Sequence, residues 1–213
     1  MNTTIIVEII KILPSLLGFC FLLCCLFLFY RPIRDELIPK LGSFKALGVE
    51  LSFVKEYIEK SIRLAEKSPQ WKVRTSSVDQ KRVLTRIKSH LGYFKNSRIL
   101  WVDDHPENNK NEIRMFSELG VEIDLANDLN EASTLMRNHS YDLVFSDMVH
   151  GDNKTAGLEL LDSLVSKREF LPVIFYVGVF DPALGTPARA FGITNRPDEL
   201  VHLALDALER KKD

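Results

Sequence analysis

Apolar and polar positions along the 213-residue chain change their spacing three times. From Ile12 to Tyr30 no residue is charged, and Thr3 to Ile10 is broken only by Glu8. From Phe53 to Lys67 the apolar positions take helical spacing: Phe53, Tyr57, Ile58, Ile62 and Ala65 share a face, with Lys55, Glu56, Glu59, Lys60 and Arg63 elsewhere. Ser68-Pro69 is a stop signal. Leu47 to Phe53 alternates briefly and reads as a short strand or extended turn. Trp71 to Ser77 reads as a loop, and Asp79 to Phe94 as a second helix with Val83, Leu84, Ile87, Leu91 and Phe94 as its stripe.

Beyond Ser97 short β-prone runs alternate with helical segments. Ile99–Val102, Val121–Leu125, the run ending at Asp147, Val173–Val177 and Ile193–Thr194 read as strands. Between them lie predicted helices over Glu107–Leu119 (Ile113, Phe116 and Leu119 inward, Gly120 ending it), from a cap at Asn127 or Asp128 to Asn138, and over Ala156–Lys167. A segment with Pro182, Gly185 and Pro187 replaces a clear fourth helix, and Asp198–Lys211 is the last. This alternation predicts one α/β domain over 97–213: a doubly wound, flavodoxin-like parallel sheet of five strands in the order 2-1-3-4-5.

Two of these strands end in carboxylates, at Leu100-Trp-Val-Asp-Asp104 and Asp142-Leu-Val-Phe-Ser-Asp147. In a doubly wound sheet the C-terminal strand ends converge on one crevice, so Asp103, Asp104 and Asp147 are expected to meet there. Carboxylates gathered in one pocket repel each other and favour a hard cation, most naturally Mg²⁺. The plainer alternative is that each acid caps the helix that follows.

In order and spacing these acids resemble the receiver domain of two-component response regulators. Gly157-Leu-Glu-Leu-Leu161, Leu171-Pro-Val-Ile174 and Arg196-Pro197 match later landmarks of that family. The resemblance implies Asp147 as phosphoacceptor, with a histidine kinase or a small phosphodonor as the source. It also implies Asp104 as the principal metal ligand, Asp103 as a direct or water-mediated one, and the main chain of Val149 as a third. Arg196 stands where the family has a phosphate-binding Lys, and Val177 where it has a hydroxyl residue. The loop after Asp147 is two residues longer than the family pattern. His105 and His150 flank the acids without the paired spacing of a metal site, and all five histidines read as surface or loop residues.

The uncharged run is close to the ~20 apolar residues that span a bilayer as a helix. It lacks the basic start and small-residue cleavage site of a signal peptide. It therefore reads as a retained anchor over 1–30, followed by a helical connector over 31–96. Arg31, Arg34, Lys40 and Lys45 follow it against Lys11 before it, which predicts a single-pass protein of the cell (inner) membrane with its C-terminal body cytoplasmic. Cys20, Cys24 and Cys25 all lie in the run, so no disulfide framework is expected for the rest. Between Lys72 and Arg98 eight basic residues face only Asp79, a segment suited to anionic lipid headgroups, to nucleic acid, to docking on the acidic pocket of its own α/β domain, or to a solvated helix face. The net charge of −1 makes nucleic acid an unlikely partner.

The leading expectation is a membrane-anchored signalling protein, not an enzyme, that binds Mg²⁺, is phosphorylated on Asp147 and relays that state to a protein partner or a homo-oligomer. The alternative is a membrane effector whose degenerate receiver-like domain binds a ligand or nucleotide messenger and clusters transmembrane helices. No output domain is read after Asp213, so output is expected from the connector, the membrane helix or a partner.

Overall fold

The computed structural model describes residues 17–19, 21, 38–68, 73–166, 171–181, 183 and 185–212. The chain divides into two compact units, residues 1–49 and 50–213. Most of the apolar run 12–30, and with it the predicted anchor, lies outside the described residues. Among the described residues no helix is long and apolar enough to cross a membrane.

The predicted sheet forms as expected. Five parallel strands, β1 (Arg98–Val102), β2 (Glu122–Ala126), β3 (Leu143–Ser146), β4 (Val173–Tyr176) and β5 (Gly192–Thr194), lie in the order β2-β1-β3-β4-β5. β1, β3 and β4 are buried along nearly their whole length, which is why they read as continuous apolar runs. Successive residues still serve opposite faces. Ile99, Trp101, Phe145, Ile174 and Tyr176 enter one core, and Leu100, Val102, Val144, Val173 and Phe175 the other.

Four helices belong to the domain itself: α3 (Lys110–Glu118), α4 (Leu129–Asn138), α5 (Ala156–Ser166) and α6 (Pro197–Lys212). Asp128 caps α4 by accepting from the Glu131 N–H at 2.8 Å. Gly120 ends the α3 segment in the left-handed region, at φ +85°. Between Tyr176 and Gly192 no α-helix occurs among the described residues.

Two connector helices precede the sheet: α1 (Ile38–Lys67) and α2 (Ser77–Phe94). Residues 47–53, expected to be extended, are part of α1. A strand there would have no sheet partner, whereas a helix satisfies its own backbone groups. The buried stripe of α1 is Val54, Ile58, Ile62 and Ala65, at steps of four, four and three. Phe53, expected on that stripe, is 44% exposed. Ser76 and Asp79 form a capping box that starts α2, and Val83, Ile87 and Phe94 are its buried residues.

These connector side chains do not form a core of their own. Val54, Ile58, Ile62, Val83, Ile87 and Phe94 join Trp101, Phe116, Phe145 and the inner face of α6 in one cluster. Each fully buried aliphatic or aromatic side chain of this kind contributes about 1.5–3 kcal/mol. The seam between α2 and α6 is also ionic: Arg86 pairs with Asp206, and with Glu209 at 3.4 Å.

Candidate functional site

The sheet register builds the acid cluster. Val102 pairs with Ser146 across β1 and β3, so the next residues, Asp103 and Asp147, emerge side by side. The ladder continues into both: Asp103 N–H donates to the Ala126 carbonyl at 2.9 Å and Asp147 N–H to the Val102 carbonyl at 3.0 Å. Asp104 follows at the same edge. Carboxylate oxygens of Asp103, Asp104 and Asp147 lie within 4.8 Å of one another. Like charges at that separation repel by about 3 kcal/mol per pair at an effective dielectric of about 20.

Local structure holds each acid. Asp103 is buried, its Oδ1 accepting from the His105 N–H at 2.7 Å and its Oδ2 from the Asn109 side-chain amide. A 3₁₀ turn over Pro106–Asn109 carries that asparagine back under the strand end. Asp104 Oδ2 accepts from the Gly151 N–H at 2.7 Å, so the long loop after β3 folds over the cluster. Asp147 Oδ1 accepts from the Met148 N–H at 2.6 Å. Burial pushes the Asp147 carboxyl up and the Asp103 charge pushes it further, while the Met148 and Val149 N–H groups and His150 oppose the rise.

Gly157 explains how α5 approaches so closely. A Cβ there would lie 2.6 Å from the Asp147 carbonyl oxygen and 2.7 Å from the Phe175 ring. Only a residue without a side chain lets the first turn of α5 pass against the backbone that carries Asp147.

The acids line a cleft of about 180 Å³ with His105, Asn108, Asn109, Tyr176, Val177 and Gly178. All the clustered donors are hard carboxylate oxygens, with neither thiolate nor paired imidazoles. The set therefore fits Mg²⁺ or a similar hard cation better than a thiophilic metal. His105 is largely exposed and pairs with Glu107 at 3.2 Å and Asp104 at 3.8 Å. His150 pairs through its backbone with Asn153.

Residues 99–194 match the response regulator receiver domain family. The match spans 96 of the 213 residues, and over them the chain is similar to that family. Receiver domains bind Mg²⁺ at an aspartate cluster of this kind. The chain is similar to the Francisella response regulator 1452 receiver domain, at 22% identity over 55% of this chain and 99% of that one, with a TM-score of 0.48. It is similar to a receiver domain protein from Clostridium thermocellum, at 25% identity over 55% and 97% of the two chains, with a TM-score of 0.46. A third similar structure is the response regulator TrrA from Thermotoga maritima in complex with Mg²⁺-BeF. It is 25% identical over 52% of this chain and 98% of that one, with a TM-score of 0.46. No curated protein matches the chain.

The fold brings Asp103, Asp104 and Asp147 together, but Arg196 is not among the residues lining their cleft. Its guanidinium instead holds Asp198 through Nε at 3.2 Å and through Nη2, and reaches Asp79 of α2 at 3.6 Å. Asp198, at the start of α6, is 1% exposed and binds a planar fork better than it would a point charge. Val177, on the cleft wall, supplies no hydroxyl.

Glu112 and Tyr176 are functional candidates that sequence reading missed. Tyr176 lines the cleft, and its hydroxyl donates to Glu112 Oε1 at 3.0 Å. The buried Ser61 hydroxyl of α1 faces the same carboxyl, outside ordinary hydrogen-bond geometry. One signal was available: Glu112 lies four residues before Phe116 and so shares its inward face.

Proposed function

We propose that Asp147 is the phosphoacceptor of a membrane-tethered signalling protein, with Mg²⁺ held by Asp103, Asp104 and Asp147. The observation that carries this reading is the register pairing that sets Asp103 and Asp147 side by side at the C-terminal sheet edge. In the transfer, a carboxylate oxygen of Asp147 forms a bond to phosphorus as the donor's bond to phosphorus breaks. The leaving group takes that electron pair: imidazole from a histidine kinase, or acetate from acetyl phosphate. When bound, the cation offsets the repulsion between the carboxylates and the incoming phosphoryl oxygens. The protein's own contribution is orientation. Asn109 and the His105 N–H fix Asp103, Gly151 fixes Asp104, and the Met148 N–H fixes Asp147.

Membrane tethering through residues 12–30 is supported by their lack of charge and by the described fragment within them. Residues 17–19 and 21 are helical, with Leu17, Phe19 and Phe21 all at least 60% exposed. Such a surface is favourable in lipid and costly in water. The receiver domain then lies on the cytoplasmic side, where a histidine kinase or another protein partner engages it.

Intact mass measured after incubation with Mg²⁺ and acetyl phosphate tests the reading. The chain should gain one phosphoryl group, and Asp147→Asn should gain none. Equal labelling of the two proteins would refute Asp147 as the acceptor.

A further inference from the structure

Arg196 occupies an unusual position for the charge it carries. It follows β5 by two residues, and β5 pairs with β4 so that Thr194 lies opposite Tyr176, a wall of the acid cleft. Its backbone is held there, with the Arg196 N–H donating to Thr194 Oγ1 at 3.0 Å. Among the described residues no Lys or Arg lines the cleft. The nearest strand end with a cation thus directs it elsewhere, onto the starts of two helices.

That one guanidinium meets an acid at the start of each helix. Asp198 lies in the first turn of α6, and Asp79, the third residue of α2, closes the capping box that opens that helix. Thr75, just before that box, donates its hydroxyl to Asp198 at 3.4 Å. Asp79 itself has two roles. Its carboxylate accepts from the Ser76 hydroxyl at 2.8 Å and from the Ser76 N–H at 3.3 Å, and it meets Arg196. The connector helix is therefore fastened at its N-terminal end to Arg196, two residues beyond β5.

We propose that Arg196 is a shared counter-charge: at rest it clamps the connector through Asp79, and a phosphoryl group on Asp147 draws it away and unfastens the N-terminal end of α2. This switch rests on the reading of Asp147 as phosphoacceptor. Arg196 holds its two acids unequally: Asp198 is buried and bound through Nε at 3.2 Å and through Nη2, whereas Asp79 is part-exposed and meets it at 3.6 Å, so the Asp79 contact is the one that yields. A phosphoryl group offers several charged oxygens in a cleft whose Val177 supplies no competing hydroxyl, and a guanidinium binds such a group bidentately. Further along, α2 stays on α6 through Arg86, Asp206 and Glu209, so the release is confined to one end.

The test uses the full-length chain in detergent, with Mg²⁺ and beryllium fluoride as the phosphoryl mimic. Fluorine NMR reads the adduct, and amide hydrogen exchange reads residues 73–80. The adduct should speed exchange there by about two- to five-fold, the scale of one exposed ion pair. Asp79→Asn, which keeps the capping hydrogen bonds, should show the faster exchange before any adduct forms and gain nothing from it. Arg196→Gln should behave likewise. An adduct with unchanged exchange at 73–80 overturns the switch and leaves the phosphoacceptor intact. No adduct, with the domain still folded, overturns both.

Discussion

The hydroxyl of Tyr176 and the carboxyl of Glu112 meet at 3.0 Å inside the core, with Ser61 of the connector facing the same carboxyl. Tyr176 also walls the acid cleft, so a buried polar contact runs from the cleft to α3 and toward α1. Burial pushes both the Glu112 carboxyl and the Tyr176 hydroxyl up from their ordinary values. At neutral pH the fold thus favours a protonated, neutral Glu112 more than the unfolded chain does.

That displacement has a sign in stability. A carboxyl raised in the folded state contributes stability fully below its unfolded value and loses it as pH rises through the folded one. Glu112→Gln keeps the shape and cannot ionise. Its stability relative to the native chain should therefore increase as pH rises from about 5 to 8, read by chemical denaturation at each pH. A constant difference across that range would mean that Glu112 carries no raised titration.

Gly157→Ala should destabilise the domain by roughly 1–3 kcal/mol, since its Cβ would press on the Asp147 carbonyl and the Phe175 ring. Because the pressure falls on the backbone beneath Asp147, Mg²⁺ affinity should fall as well. Thermal unfolding and calorimetric titration check the two effects separately.

Asp104→Asn and Asp103→Asn should each weaken Mg²⁺ binding by at least about ten-fold, as expected when a charged ligand is lost from a small carboxylate site. Asp147→Asn should additionally stabilise the metal-free domain above neutral pH, because burial and Asp103 both disfavour its charge. Calorimetry with Mg²⁺, and denaturation in a chelator, read these outcomes.

Much of this architecture was legible beforehand because buried parallel strands are continuous apolar runs, and because β1 and β3 end abruptly in acids. Register then makes the encounter of Asp103 with Asp147 nearly obligatory. The connector was harder to read. Leu47 to Phe53 alternates for too few residues to separate a strand from a helix, and only tertiary packing selects Val54 over Phe53 for the core. Arg196 matched a family landmark with Asp198 two residues on, yet its other partner, Asp79, becomes a neighbour only when α2 lies along α6. No pattern within one segment encodes that. Glu112 carried a faint signal in its inward phase on α3, but a lone acid on an apolar face is easily read as solvent-exposed.

Ile58→Ala should cost roughly 2–5 kcal/mol, as much as Leu205→Ala in α6, because the two side chains share one cluster. Both variants should unfold in one transition. A separate early transition for Ile58→Ala would make the connector an independent body.

The common core of α1, α2 and the sheet bears on how this chain may be cut and recombined. The family boundary at residue 99 passes through the middle of that core, severing Val54, Ile58, Val83 and Ile87 from Trp101 and Phe145. A fragment begun at that boundary would present to water an apolar face that the intact chain keeps dry. Transplanting residues 99–194 into another protein would therefore move an unfinished part, and a graft that folds must carry α1, α2 and α6 with it.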